Sequence, residues 1–150
     1  MNLHQLKKEL LLACIAEIDE RAESLEKVMQ DAQQSANEYG QPKDRYDSYR
    51  TQLLRKRDMF GQQLQKIIEQ RKLLDKINLS TKNDAVSFGS LVITDKQKIF
   101  VCVGLGRFEF MDEDYFVISP GVPFFQAMEG KKPGDTFSFR DQSYTIKEIA

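Results

Sequence analysis

The sequence predicts an α+β chain: an N-terminal antiparallel coiled-coil helical hairpin, then a small antiparallel β domain with one short helix. Three observations predict it. Residues 1–79 are rich in Gln, Glu, Lys, Leu and Arg, all good helix formers. Their apolar residues recur at spacings of three and four, mirrored about Gly40-Gln41-Pro42. Residues 85–150 hold six of the eight glycines, three of the four prolines and most of the Phe and Val.

The first helix carries a heptad series at Leu11, Cys14, Ile18, Leu25, Val28, Ala32, Ser35 and Tyr39, with Arg21 filling one gap. The second carries Tyr46, Tyr49, Leu53, Phe60, Ile67, Leu74 and Ile77. Tyr39 and Tyr46 have numbers that sum to 85, as do Ala32 and Leu53, Leu25 and Phe60, Ile18 and Ile67, and Leu11 and Leu74. Antiparallel helices joined by a short turn require such a constant sum. The spacing therefore predicts a hairpin over residues 3–78, centred at Pro42-Lys43, with its tip near residues 40–50. Helices of about 35 residues would give an arm on the order of 50 Å long, at about 1.5 Å per residue. Two helices alone form no enclosed cleft, so the arm is not expected to be a conventional enzyme.

The polar stretch Ser80-Thr81-Lys82-Asn83-Asp84 reads as the linker. Residues 90–94 and 99–103 are β-branched and apolar, and residues 107–111 and 115–119 follow as strands. Residues 136–140 and 143–149 form a hairpin across Asp141-Gln142. Between them Pro123 opens a short helix and Gly130 ends it. The expected order is β-β-β-β-α-β-β.

Charge is balanced, with 22 basic and 23 acidic side chains and a net charge of −1. No global field draws the chain to nucleic acid or anionic lipid, so electrostatic recognition must be local. Cys14, Cys102 and His4 have no metal-ligand spacing, and buried free thiols are expected. No run approaches the ~20 apolar residues of a membrane span. The opening residues do not read as a signal peptide, so a soluble, cytoplasmic monomer is expected. No Ser-His-Asp, Cys-His or phosphate-loop pattern points to a self-contained enzyme.

The charged tip is the first candidate site. Asp44 and Asp47 have i, i+3 spacing and would share one helix face. From the residues alone, Asp44 can cap the second helix with Asp47 completing a capping box. Lys43 and Arg45 flank them, and Arg50, Arg55, Lys56 and Arg57 follow. Those cations could contact phosphates or form a solvated helix face.

The C-terminal half contains Val122-Pro123-Phe124-Phe125-Gln126-Ala127-Met128-Glu129-Gly130-Lys131-Lys132-Pro133-Gly134-Asp135. This run resembles the Pro, apolar, Gly-Lys, Gly-Asp motif of the Gre family of bacterial transcription factors. Phe88-Gly89-Ser90-Leu91-Val92 and Tyr144-Thr145-Ile146-Lys147-Glu148-Ile149 are similar to that family's first and last strands. The tip Lys43-Asp44-Arg45-Tyr46-Asp47-Ser48-Tyr49-Arg50 resembles that of Gre-like proteins of Bacteroidetes, Gly-Asp-Lys-Tyr-Glu-Thr-Gly-Arg. The resemblance implies an FKBP-like C-terminal domain that docks on bacterial RNA polymerase. It implies a hairpin entering the secondary channel, where tip carboxylates help hold a Mg²⁺ of the polymerase active site and promote cleavage of backtracked RNA. Asp44 and Asp47 would then assist catalysis that belongs to the polymerase, with no metal bound by the isolated protein. Lys43, Arg45, Arg50, Arg55, Lys56 and Arg57 would meet polymerase or the transcript. Gly121, Val122, Pro123, Phe124 and Phe125 would form the docking corner.

Two departures from the family matter. Gln41 follows Gly40 where cleavage factors carry an acid, and Val122 replaces a serine before the proline. The first allows occupation of the channel without cleavage, modulating initiation or elongation. The second transfers docking to apolar contacts of Val122, Phe124 or Phe125, although Phe124 as core and Phe125 as part-exposed is the plainer expectation. The alternatives are a coiled-coil interaction protein unrelated to polymerase and, by fold analogy alone, a prolyl isomerase-like module.

Overall fold

The computed structural model describes every residue from Met1 to Ala150. In chain order the elements are α1 (Leu3–Tyr39), α2 (Tyr49–Asp75), β1 (Leu91–Thr94), β2 (Lys98–Val101), β3 (Gly106–Phe110), β4 (Glu113–Ile118), α3 (Pro123–Met128), β5 (Thr136–Phe139) and β6 (Gln142–Ile149). Contacts divide the chain into two compact units, Ile15–Lys72 and Met1–Cys14 with Leu73–Ala150.

The first unit is an antiparallel helical hairpin. Its helical segments run roughly 36 Å each, at about 1.5 Å per residue. Arg71 Nε donates to Asp19 Oδ1 at 3.1 Å, and Arg57 donates to Gln33 Oε1. A Cβ placed on Gly61 would meet Met29 Cε at 3.3 Å. The residue numbers in each of these pairs sum to 90, not 85. The turn explains the shift. A tight Gly-Gln-Pro turn sets the mirror at 42–43, whereas α2 starts only at Tyr49, so a nine-residue loop moves the mirror towards 44–45.

The seam of α2 falls at 50, 53, 57, 60, 64, 67, 71 and 74, alternating three and four. Leu53, Phe60, Ile67 and Leu74 are the expected members; Arg50, Arg57, Leu64 and Arg71 are the others. On α1, Ala22 and Ala36 take the places that the spacing gives to Arg21 and Ser35, and Ala36 is fully buried. Arginine stems can cover apolar surface while the guanidinium reaches a polar partner, as Arg57 does with Gln33 and Arg71 with Asp19.

The second unit contains a six-stranded sheet of order β3-β4-β2-β1-β6-β5. All its pairings are antiparallel except β2 with β4, which is parallel, with Ile99 beside Phe116 and Val101 beside Ile118. The chain passes from β2 to the sheet edge as β3 and returns as β4 between them. Alternation of side chains reads the same in either direction, so it could not separate this parallel pair from the wholly antiparallel sheet expected from the sequence.

One sheet face carries the core of Val92, Ile99, Val101, Phe137, Tyr144 and Ile146, closed by Phe125 and Met128 of α3. Leu91, Phe100, Tyr115 and Val117 point to the other face and are also buried. Val122, where a serine is expected by resemblance, leaves the first turn of α3 without a side-chain cap, and Pro123 removes one of the donors that would need it.

The Gly-Lys and Gly-Asp pairs are turn devices. Gly130 (φ +76°) and Gly134 (φ +93°) adopt the left-handed region that side chains with a Cβ avoid. Asp135 Oδ2 accepts the Lys132 N–H at 2.8 Å. Gly134 N–H donates to Ile146 O, and Ile146 N–H donates to Asp135 O. The motif feeds α3 into β5 and pins it to β6.

Candidate functional site

The tip is built from residues 40–48. Helix α1 ends at Tyr39, and Gly40 (φ +78°) turns the chain out while its N–H still donates to Ala36 O at 3.1 Å. The loop closes on one side chain. Asp47 Oδ2 accepts the Lys43 N–H at 2.8 Å and the Tyr39 hydroxyl at 2.5 Å. Asp47 Oδ1 accepts the Tyr49 N–H at 3.1 Å, at the first residue of α2. A carboxylate with three donors is stabilised in its charged form, so the Lys43 N–H, the Tyr39 hydroxyl and the Tyr49 N–H hold Asp47 below the usual carboxylate range. The same hydrogen bond, with some burial, pushes the Tyr39 phenol up to about 12.

Asp44 stands differently. Its Oδ1 accepts the Tyr46 N–H at 2.8 Å, its carbonyl accepts the Asp47 N–H at 3.2 Å, and its side chain is exposed. Neither aspartate lies on a helix, because α2 begins two residues after Asp47. The expected capping box is therefore replaced by two successive turns, each with an Asp side chain accepting the N–H two residues on. Asp47 holds the tip together and both its oxygens are taken; Asp44 keeps Oδ2 free.

Around this knot the rings and cations separate into inward and outward groups. Tyr49, not Tyr46, packs beside Tyr39, with ring centroids 4.8 Å apart. Lys43 Nζ lies 4.8 Å from the Tyr39 ring and donates to Tyr39 O, which favours the end of α1. Tyr46, a seam residue in the heptad reading, is 78% exposed. The Arg45 guanidinium lies over its ring, 4.7 Å from the centroid, and donates to its hydroxyl at 2.6 Å. Heptad spacing could not foresee this, because position 46 lies in the loop and has no helical face.

The basic cluster is split as well. Arg57 is half-buried in the seam, held by Gln33 and Asp58, so the free surface cation expected there is absent. Arg55 and Lys56 are exposed and Arg50 is half-exposed, and none of the three sits in an ion pair.

The second candidate lies in the β-containing unit. Gly121 and Pro123 are exposed, and Val122 and Phe124 are half-buried. Phe125 is buried at 5% exposure, so it belongs to the core and offers no docking surface. The two phenylalanines exchange their expected roles because α3 is so short: its inward face is set by Phe125 and Met128, three residues apart. Phe124 instead meets Phe137, Phe139 and Tyr144 edge-on, at centroid distances of 5.6, 5.2 and 5.4 Å. Beside them is a cavity of about 450 Å³ lined by Phe116, Ile118, Phe124, Phe139, Arg140 and Tyr144, with Gln97 and Gln142. Of these only Phe124 stands out in the sequence; the others come mostly from three separate strands. A larger cavity of about 760 Å³ is lined by His4, Lys82, Asp84, Lys147 and Glu148 among others, whose mixed charges select no ligand class. No group of three His, Cys, Asp or Glu side chains is placed to hold a metal ion, and no helix is long and apolar enough to cross a membrane.

The chain matches no protein-family model and no curated protein. Solved structures are similar over most of their length. They include GreA factor homolog 1 (Gfh1) of Thermus thermophilus, at 18% identity and a TM-score of 0.37, covering 95% of this chain and 93% of that one. Gfh1 of Thermus aquaticus gives 18% identity, a TM-score of 0.36 and coverage of 97% and 94%. A further structure of the transcription factor Gfh1 gives 15%, 0.35, and 90% and 92%.

Proposed function

We propose that this chain is a regulator that binds bacterial RNA polymerase and places its hairpin tip in the secondary channel, modulating initiation or elongation without promoting RNA cleavage. Its likeness in sequence to the Gre family supports the polymerase as partner. The observation that carries the finer reading is the state of Asp47. Completing a Mg²⁺ site takes carboxylate oxygens that are free to leave water for metal. Both oxygens of Asp47 are committed to closing the loop, and Gln41 supplies an amide. Asp44 alone has a free oxygen, one carboxylate where cleavage factors bring two. In this reading the β domain docks through the surface around Gly121, Pro123 and Phe124.

Purified polymerase and stalled elongation complexes test both levels. The protein should co-elute with polymerase and change pausing or initiation, while 3′-proximal cleavage stays at the level of polymerase alone. Cleavage by the wild type that is lost in Asp44→Ala would overturn the non-cleaving reading, and failure to co-elute would overturn the partner. The aromatic groove beside Phe124 gives a second reading its one support, a module that receives an apolar or proline side chain. Peptide isomerisation by the purified chain would favour it.

A further inference from the structure

We propose that β3 is the contact edge of a homodimer, in which a second copy of this chain adds its own β3 antiparallel across a two-fold axis at Phe108. This goes beyond the polymerase reading and does not rest on it. It replaces the monomer expected from the sequence.

β3 ends the six-stranded sheet, so one side of it has no neighbouring strand. Met111 (φ +52°) and Asp112 (φ +63°) join it to β4 by a two-residue turn with both residues in the left-handed region. Such a turn makes its flanking residues, Phe110 and Glu113, a hydrogen-bonded pair. Alternation then directs the backbone groups of Gly106, Phe108 and Phe110 to β4, and those of Arg107 and Glu109 to the open edge. The alternation continues across β4: Val117 O accepts the Leu105 N–H on the β3 side, and Ile118 O accepts the Cys102 N–H on the other. Open backbone groups at an edge are a template for another strand.

Charge selects the strand. Arg107 and Glu109 are exposed, lie on one face of the sheet and have opposite signs. Edge charges of one sign repel a second copy; this pair does not. Antiparallel pairing centred on Phe108 puts each Arg107 directly opposite Glu109 of the other copy, and these are the residues whose backbone groups point outward. Glu109 lacks such a partner within its own chain. It stands opposite Asp114, a like-charge pair, while Arg107 reaches across to Asp114 Oδ2 at 2.6 Å. The Arg107 side chain is still 71% exposed and has donors for a second carboxylate. The opposite edge of the sheet, β5, reads Thr136-Phe137-Ser138-Phe139 and has no charge to fix a register.

A strand of five residues covers less than the ~1,200 Å² of a standard interface, so the dimer is weak and reversible. Sedimentation equilibrium of the full chain up to about 1 mM, the weak end of specific affinity, measures it. Wild type should pass from monomer to dimer as concentration rises. Arg107→Glu and Glu109→Arg should each weaken association about tenfold, because two symmetry-related cross-strand pairs turn from attractive to repulsive. An equimolar mixture of the two variants should associate again, since opposite charges then face each other. Amide exchange read by NMR should slow with concentration at Arg107 and Glu109 and stay constant at Phe108 and Phe110. Circular dichroism should show each variant folded, because both side chains are exposed. The proposal is overturned if wild type remains monomeric throughout, if either single variant dimerises as tightly as wild type, if the mixture does not associate, or if the added protection lies outside β3. None of these outcomes bears on co-elution with polymerase, which tests the other reading.

Discussion

The hairpin unit and the β-containing unit hold themselves together in different ways. In the β-containing unit both sheet faces are occupied, and residues such as Leu91, Phe100, Ile99 and Met128 are fully buried. In the hairpin unit only Ile18, Ala32 and Ala36 are buried, while the remaining seam positions of α2 are half-covered and two hold Arg in cross-helix contact. A sheet core removes many side chains from water together and is lost together. A two-helix seam gains a little at each turn, and helices this exposed depend heavily on their own propensity.

The sharpest challenge to that contrast is a pair of truncations. Phe100→Ala should cost roughly 3–5 kcal/mol, the usual range for a fully buried ring. Phe60→Ala, in the half-buried seam, should cost less than half of that. Chemical denaturation measures both, and equal losses would abolish the distinction. Asp47→Ala should act more locally. Exchange protection at the Lys43 and Tyr49 amides should collapse, because both donate to the lost carboxylate, while the amides of β1 and β2 keep theirs. Loss of protection across the sheet would show that the tip is not a separate unit of stability.

A smaller effect of opposite sign is expected at Gly61. It is helical and carries no left-handed φ, so Gly61→Ala restricts the unfolded chain and should stabilise by about 0.5 kcal/mol. The obstacle is Met29 Cε at 3.3 Å from the new Cβ, the end of a flexible side chain. A loss of stability would mean that Met29 is wedged and the seam is tighter than its exposure suggests.

The pH dependence is the subtlest test. Asp47 is depressed by its donors, so its contribution is present above the ordinary carboxylate value of 3.8 and fades as pH falls through the lower folded value. Tyr39 is raised from 10.0 to about 12, so its contribution is complete below pH 10 and fades as pH rises through 12. A single hydrogen bond, seen from its two ends, contributes to both shifts. Tyrosine absorbance should therefore show Tyr39 ionising late, and Asp47→Ala should return it towards 10.0. Tyr115, raised by burial, should stay late in both proteins.

Much of this architecture is legible in the sequence. The strands, α3 and the two long helices follow from apolar period, Pro and Gly. What the period could not supply was geometry beyond one element. The hairpin register depended on the turn length, and two Asp side-chain turns lengthened it. The direction of β4 beside β2 depended on a crossover that leaves alternation unchanged. Asp47 was visible as an acid but not as a buttress, because its three donors come from residues 39, 43 and 49. The aromatic groove is assembled from β4, β5, β6 and α3, and no contiguous segment announces it.

The turn from α3 into β5 has a consequence for how such chains are sorted. Gly130, Gly134 and Asp135, which make the sequence look familiar, are there to bend a backbone and to accept one of its N–H groups. Their part in the fold is the same whatever the tip does. In the function proposed above, the chemistry would hang instead on whether a carboxylate in the other unit is spoken for. On that proposal, two chains could share every glycine of the turn and differ in activity through a single tyrosine that claims an aspartate.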